Sequence, residues 1–287
     1  MRVHLVDGTY ELFRAYFGAP KAKDPHGREV GAVRGLIRMW LSWIERAGIT
    51  HVGFAFDHVI ESFRNDLFAG YKTSLGVPAD LMAQFELAER AAYAIGGLVW
   101  PMVAFEADDA LATAAARFAV LPEVEQVRVC TPDKDLAQVV GSKVVGLDRF
   151  KDVVLDEAGV VAKFGVAPES IPDFLALVGD DADGIPGIPR WGQKSAGLVL
   201  ARWRHLEAIP TDPLRWDVPV RGAPALAATL NEQRSDAILY RTLATLRTDA
   251  PVTESLADLE WRGARKAELE TLCDELGDRP RPTRWRE

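Results

Sequence analysis

Val3-His4-Leu5-Val6-Asp7 opens the chain as a short, mostly apolar run ended by a carboxylate. The arrangement recurs. Val52-Gly53-Phe54-Ala55-Phe56 ends at Asp57, and Val127-Arg128-Val129-Cys130 leads through Thr131-Pro132 to Asp133 and Asp135. Apolar runs of this kind, separated by amphipathic stretches, predict buried parallel strands joined by helical crossovers. Strands are expected over 2–6, 51–56, 97–100, 126–130 and 143–146, and helices over 30–47, 81–95, 107–119 and 134–140. The predicted fold is α/β, a mainly parallel sheet with helices on both faces. Sites in such sheets lie beyond the carboxyl ends of the strands, where Asp7, Asp57 and Asp133 fall.

Further acids accompany these three. Glu106, Asp108 and Asp109 stand at the start of a predicted helix, and Asp180, Asp181 and Asp183 precede a Gly/Pro turn. One or two acids at a helix start suit the helix dipole. Three within four positions exceed what a cap needs. Carboxylates gathered at strand ends repel one another unless cations sit among them. Oxygen ligands of this type favour a hard divalent ion, Mg²⁺ or Mn²⁺. The Asp133-Lys134-Asp135 pattern has two other readings. One is a helix N-cap at Asp133. The other is a phosphatase Asp-x-Asp, against which stand Ala137 two residues on and the Thr131-Pro132 spacer.

After about residue 155 the pattern turns helical, with helices expected over 157–164, 169–178, 193–203, 223–231 and 235–246. Gly187-Ile188-Pro189-Arg190-Trp191-Gly192-Gln193-Lys194-Ser195 approaches a phosphate-cradling loop. Gln193 puts the lysine out of register, and Pro189 removes an N–H that the cradle needs. A turn whose following helix N-terminus binds a DNA phosphate fits better, with Lys194 adding charge. A plain helical hairpin remains the alternative. Tyr10, Phe13 and Phe17 are expected in the core. The tail 280–287 is expected to fray.

The chain has 287 residues, a formal net charge of −8, 48% hydrophobic residues and 26% charged residues. That composition suits a globular protein of one large or two closely joined domains. The acidic balance counts against nucleic acid only until bound metal is set against the clustered acids. Two cysteines, Cys130 and Cys273, exclude a disulfide framework. No signal segment or bilayer-length apolar run is visible. The expectation is a cytoplasmic protein, monomeric and without membrane partners.

Taken together, these segments resemble the 5′-nuclease (flap endonuclease) family, which includes the 5′–3′ exonuclease domain of bacterial DNA polymerase I. The likeness runs through Leu5-Val6-Asp7-Gly8-Thr9 with Phe13-Arg14-Ala15, then Phe56-Asp57 with Ser62-Phe63-Arg64 and Tyr71-Lys72. It continues through 105–112, 131–136, 179–187 and 192–196, six segments in the right order. With no polymerase sequence following, a free-standing bacterial member is expected.

The resemblance implies a PIN-like core over 1–155 with a helical arch at about 60–95. It also implies a helical DNA-binding region over 156–287, with a helix–three-turn–helix at about 170–205. Asp7, Asp57, Glu106, Asp108 and Asp109 would hold one Mg²⁺, and Asp133, Asp135, Asp180 and Asp183 a second, with Mn²⁺ able to substitute. Arg64 and Lys72 would hold and polarise the scissile phosphate. Gly187, Arg190, Gly192, Gln193, Lys194 and Ser195 would contact DNA, and the same hairpin would bind a monovalent cation, K⁺. The implied substrates are DNA with 5′ flaps, 5′ overhangs or nicks, cut to 5′-phosphate and 3′-hydroxyl ends.

This chain departs from the family pattern in two places. Thr73-Ser74-Leu75 stands where a basic residue is usual, and Arg190-Trp191-Gly192 replaces Gly-Ile-Gly. The arch to Gly97 otherwise offers only Arg90, which predicts weak capture of a 5′ strand by charge. A non-catalytic binder of branched DNA, a small-molecule phosphatase and an RNA-directed nuclease are the competing readings.

Overall fold

The computed structural model describes residues 1–286; Glu287 lies outside the described residues. The chain forms two compact units. The sheet unit comprises Met1–Ile60, Ser74–Thr131 and Thr248–Glu287, and the helical unit comprises Glu61–Thr73 and Pro132–Arg247.

Strands β1 (Arg2–Asp7), β2 (His51–Asp57), β3 (Leu98–Met102) and β4 (Gln126–Cys130) form the heart of the sheet unit. Their order is β3-β2-β1-β4, and every pairing is parallel. Residues 3–7 of β1 are all buried, as expected of a strand covered on both faces. Helix Ala107–Ala119 packs across all four strands, and its many alanines allow a close approach. Helices Gly8–Gly18, Gly31–Ala47 and Phe85–Ala94 pack together and also reach the sheet. Gly31–Ala47 buries Val33, Leu36, Ile37, Trp40, Leu41 and Ile44, a stripe at helical spacing, and Gly48 ends it with φ 61°. Trp40 meets Phe54 at 4.9 Å between ring centroids and lies edge-on to Phe56.

The chain returns to this unit after Thr248. Ala250 N donates to Thr113 Oγ1 at 3.1 Å, Trp261 Nε1 to Ile95 O at 2.8 Å and Trp100 Nε1 to Glu254 at 2.8 Å. Helix Lys266–Leu276 packs on Phe85–Ala94.

In the helical unit, Val144–Asp148 pairs antiparallel with Val153–Leu155. Helix Ile171–Val178 is central, packed by Gln193–Trp203 and Arg234–Ala244. Phe174, Leu177, Ile188, Val199, Leu230 and Leu243 are among its buried residues. The buried Asp173 carboxylate accepts from Leu206 N at 3.1 Å, lies 3.0 Å from His205 Nδ1 and pairs with Arg241. It is therefore fully engaged, as a buried charge must be.

Several expectations change. The helix expected over 81–95 is broken into Ala79–Met82 and Phe85–Ala94, because the chain tightens at Gln84. The Gln84 amide is buried, accepting from Val33 N and donating to Asp80 O. Residues 134–140 form a 3₁₀ turn, Asp135–Val139, rather than an α-helix, since Asp133 Oδ1 takes the Asp135 N–H. Pro168–Ser170 is likewise a 3₁₀ turn before Ile171–Val178. Helices Gly8–Gly18 and Lys266–Leu276 are present where none was expected. Phe17 is 73% exposed, not core. The tail does not fray over its described part, because Trp285–Arg286 pairs with Ala264–Arg265.

Trp40 is fully buried between helix and sheet. Trp40→Ala is expected to cost about 3–5 kcal/mol of unfolding free energy. A urea titration read by circular dichroism measures it.

Candidate active site

Two groups of carboxylates can be described, one in each unit. In the sheet unit, Asp7 ends β1 and caps the next helix. Its Oδ1 accepts from Tyr10 N at 2.8 Å, and its Oδ2 accepts from Thr131 Oγ1 at 3.0 Å. Asp57 ends β2. Its N–H donates to Thr9 Oγ1 at 2.8 Å, and its Oδ1 accepts from Ala107 N at 2.8 Å. The Asp57 carboxylate therefore faces the positive end of helix Ala107–Ala119. At that same helix start, Glu106 N donates to Asp109 Oδ2 at 3.1 Å, and the Glu106 side chain caps in return. Glu106 and Asp109 are buried, and Asp108 is half-buried. Capping thus explains part of this group. Asp7, Asp57, Glu106 and Asp109 nevertheless share one end of the sheet, because strand ends and the helix start meet there.

In the helical unit, Asp135, Asp180 and Asp183 each offer an oxygen within 4.8 Å of the others. Asp133 stands beside this group without being one of the three, its Oδ1 accepting from Asp135 N at 3.0 Å. The local fold imposes this gathering. Asp180 and Ile185 exchange backbone hydrogen bonds of 2.7 and 2.8 Å, which closes a tight loop carrying Asp183. Gly184 at φ 72° lets that loop touch Gly70, where a Cβ would lie 2.2 Å from the Gly70 oxygen. Lys72 N donates to Asp183 O at 3.0 Å.

Two cations already lie against these acids. Lys72 Nζ is 3.1 Å from Asp183 Oδ1, and Lys134 Nζ is 2.5 Å from Asp180 Oδ2. Burial works against the Lys134 charge, but Asp180, Asp135 and Asp133 outweigh it and raise its pKa. Asp135 is less well served. Its Oδ1 is buried without a hydrogen-bond partner. Burial first, then the charges of Asp133, Asp183 and Asp180, hold its pKa well above the carboxylate range. A buried, unpartnered carboxylate oxygen facing two more carboxylates is what a divalent cation would satisfy.

Arg64 is 1% exposed. Its Nε donates to Leu243 O at 2.8 Å and its Nη2 to Thr245 O at 3.1 Å, at the C-terminal end of helix Arg234–Ala244. In the hairpin, Gly187 has φ 72°, and a Cβ there would lie 2.6 Å from Gly179 N. Arg190 holds the left-handed conformation, φ 74°, in an exposed turn. Strain of this kind in a non-glycine residue costs about 1–2 kcal/mol. Gly192 N donates to Ser195 Oγ at 3.0 Å as helix Gln193–Trp203 begins, and Gln193 and Lys194 are exposed. Lys134, Thr131 and Thr9 were not expected from the sequence. The signal for Lys134 was its place between two acids.

The profile described as "5'-3' exonuclease, N-terminal resolvase-like domain" matches residues 2–165, and "5'-3' exonuclease, C-terminal SAM fold" matches 166–267. This chain belongs to the 5′–3′ exonuclease family. It is 33% identical over 252 residues to a 5'-3' exonuclease of Buchnera aphidicola, covering 86% of this chain and 82% of that protein. It is 38% identical over 276 residues to DNA polymerase I of Pseudomonas aeruginosa, covering 95% of this chain. It spans only 30% of that polymerase's length. The bacteriophage T5 D15 flap endonuclease, solved as a complex with DNA and metal ions, superposes with a TM-score of 0.67 at 16% identity. That match covers 97% of this chain and 100% of the T5 protein, and it shows the shared fold. No described helix is long and apolar enough to cross a membrane.

Asp135→Asn removes the unsatisfied buried charge. In EDTA it is expected to raise Tm by about 2–4 °C, the shift that roughly 1 kcal/mol brings in a chain of this size. An acid whose folded pKa is raised destabilises the fold as pH climbs from about 4, its unfolded value, toward the raised one. The gap between variant and wild type should therefore widen over that interval. Added Mg²⁺ should lift wild-type Tm more than the variant's. Differential scanning fluorimetry across pH, with and without Mg²⁺, measures all three.

Proposed function

We propose that this chain is a metal-dependent, structure-specific 5′ nuclease hydrolysing DNA phosphodiesters to 5′-phosphate and 3′-hydroxyl products. The observation that carries the reading is the buried, unpartnered Asp135 oxygen among Asp180 and Asp183, in a chain of the 5′–3′ exonuclease family. Asp133, Asp135, Asp180 and Asp183 would hold one Mg²⁺, replaceable by Mn²⁺. Asp7, Asp57, Glu106, Asp108 and Asp109 would hold a second. When bound, such ions lower the pKa of a water nucleophile and stabilise the leaving oxygen.

The protein's own groups do the rest. Lys72, tethered to Asp183, offers a positive charge to the reacting phosphate without taking its proton. Arg64 supports the same end of the reaction by fixing the segment that carries Lys72, since its guanidinium grips the carbonyls of Leu243 and Thr245. A direct phosphate contact would require it to release them. Gly187, Arg190, Gly192, Gln193, Lys194 and Ser195 bind the sugar-phosphate backbone of duplex DNA, with a K⁺ ion on the hairpin carbonyls. This contact carries little sequence preference and weakens with salt. In functional terms, residues 1–155 with the 60–95 arch cut the strand and 156–287 grip the duplex. Substrates are DNA with 5′ flaps, overhangs or nicks, and the protein acts as a cytoplasmic monomer.

The test is cleavage of an end-labelled 5′-flap duplex beside a blunt duplex and a single strand, in Mg²⁺ or EDTA. Metal-dependent cutting near the flap junction is expected, abolished in Asp133→Asn/Asp135→Asn. Tight flap binding with no cutting in Mg²⁺ or Mn²⁺ would replace this reading with a binder of branched DNA. Lys72→Ala is expected to lower kcat by about 10²–10³-fold, the usual loss for a group stabilising transition-state charge. Flap affinity in EDTA, read by fluorescence anisotropy, should stay within a few-fold of wild type.

A further inference from the structure

Arg279-Pro280-Arg281-Pro282-Thr283-Arg284-Trp285-Arg286 carries four arginines and no acid, in a chain of net charge −8. Terminal segments of this composition ordinarily trail in solvent. Here the backbone is built into the sheet unit. Trp285–Arg286 pairs in parallel with Ala264–Arg265, and Ala264 N donates to Arg284 O at 3.0 Å. Thr283 N donates to Glu45 Oε1 at 2.6 Å. Gly263, at φ 109°, admits this approach, since a Cβ there would lie 2.7 Å from the Trp285 carbonyl carbon.

The side chains face solvent, with the Arg284 guanidinium 5.9 Å from the Trp261 ring centroid and its charge felt by Glu260. Arg279, Arg281, Arg284 and Arg286 are all exposed, and among the described residues none forms an ion pair. Trp285 stands between two of them, 40% exposed. Of the neighbouring acids, three are paired with other arginines, while Glu270 and Asp274 line one pocket with Arg279 and Trp285. Asp278 pairs with Arg38, Glu260 with Arg262 and Glu275 with Arg28 and Arg90. Glu268, Glu270 and Asp274 lie on the adjoining helix Lys266–Leu276, and Lys266 stands 4.0 Å from Glu270. Arg265 adds a further cation beside the strand, its guanidinium 3.9 Å above the Tyr93 ring. Arg265 Nη1 also donates to Gly97 O at 3.1 Å, just before β3 begins. The cluster thus lies at the opposite end of the strands from Asp57, roughly 15–20 Å away for strands of this length.

Exposed guanidinium groups on a fixed backbone repel one another and attract a polyanion. Arginine's planar fork suits phosphate oxygens, and an exposed indole between arginines suits a base face. We propose that residues 279–286 form a second DNA-backbone contact, carried by the sheet unit and distinct in its residues from the 187–195 hairpin. It rests on the nuclease reading above and deepens it, adding a duplex-backbone contact at the end of the sheet away from Asp57.

The test compares full-length wild type with two triple variants, Arg281→Gln/Arg284→Gln/Arg286→Gln and the corresponding Lys substitutions. Binding of a labelled 5′-flap duplex is read by anisotropy in EDTA across a salt series, and kcat is read at saturating flap in Mg²⁺. The Gln variant should bind about ten-fold more weakly, with the log Kd against log salt slope reduced by about 2–3, near 0.9 per lost phosphate contact. The Lys variant should bind close to wild type, and both should keep wild-type Tm and kcat. Wild-type affinity and slope in the Gln variant, or equal loss in both variants, would overturn the proposal. Wild-type protein that fails to bind the flap would sink the nuclease reading itself, and this proposal with it.

Discussion

Repulsion among the carboxylates of Asp135, Asp180 and Asp183 is the constraint around which the helical unit is arranged. Three acids within 4.8 Å, two of them buried, do not gather unless backbone geometry forces them. The forcing is local. Asp180 and Ile185 lock a loop, Gly184 and Gly187 supply positive φ where side chains would collide, and the segment 61–73 presses Lys72 against Asp183. Lys72 and Lys134 relieve part of the charge, but neither reaches Asp135 Oδ1. The repulsion that remains is a cost to stability of the kind that functional sites carry.

The sheet unit resolves the same problem differently. Asp7 and Asp57 are bound by backbone N–H groups at helix starts, and Glu106 and Asp109 cap one another's turn. Capping and ion binding use different lone pairs of the same carboxylate, so one role does not exclude the other. These acids are pre-oriented, so a ligand meeting them needs little rearrangement.

The sequence made much of this legible. The strand Gln126–Cys130 and the helices Ala107–Ala119, Glu157–Phe164 and Gln193–Trp203 fall where apolar period and flanking acids or glycines place them. Helix Gly8–Gly18 was hidden because its pattern is inverted. Glu11 is buried against Trp40 Nε1 while Phe17 faces solvent, so hydrophobicity misreports the faces. The helix Lys266–Leu276 buries Leu269, Leu272, Cys273 and Leu276 at plain helical spacing and was open to reading. The acids that the fold gathers, Asp135, Asp180 and Asp183, could be named from spacing and family likeness. The engagement of Arg64 with carbonyls some 180 positions away could not, because nothing local announces so distant a partner.

Neither unit is contiguous in the chain, and this shapes how the protein must be made. Synthesis runs from the N-terminus, and domains generally fold as they emerge. The sheet unit, begun at Arg2, still lacks the partners of Thr113 and Ile95 until Ala250 and Trp261 leave the ribosome. Such distant pairings are slow to close. Nearly the whole helical unit is translated in between, so the sheet unit stays unfinished until residues 250–261 have been made. A ribosome stalled before Ala250 would therefore leave a sheet unit without the hydrogen bonds that Ala250 and Trp261 make to Thr113 and Ile95, however complete the helical unit already is.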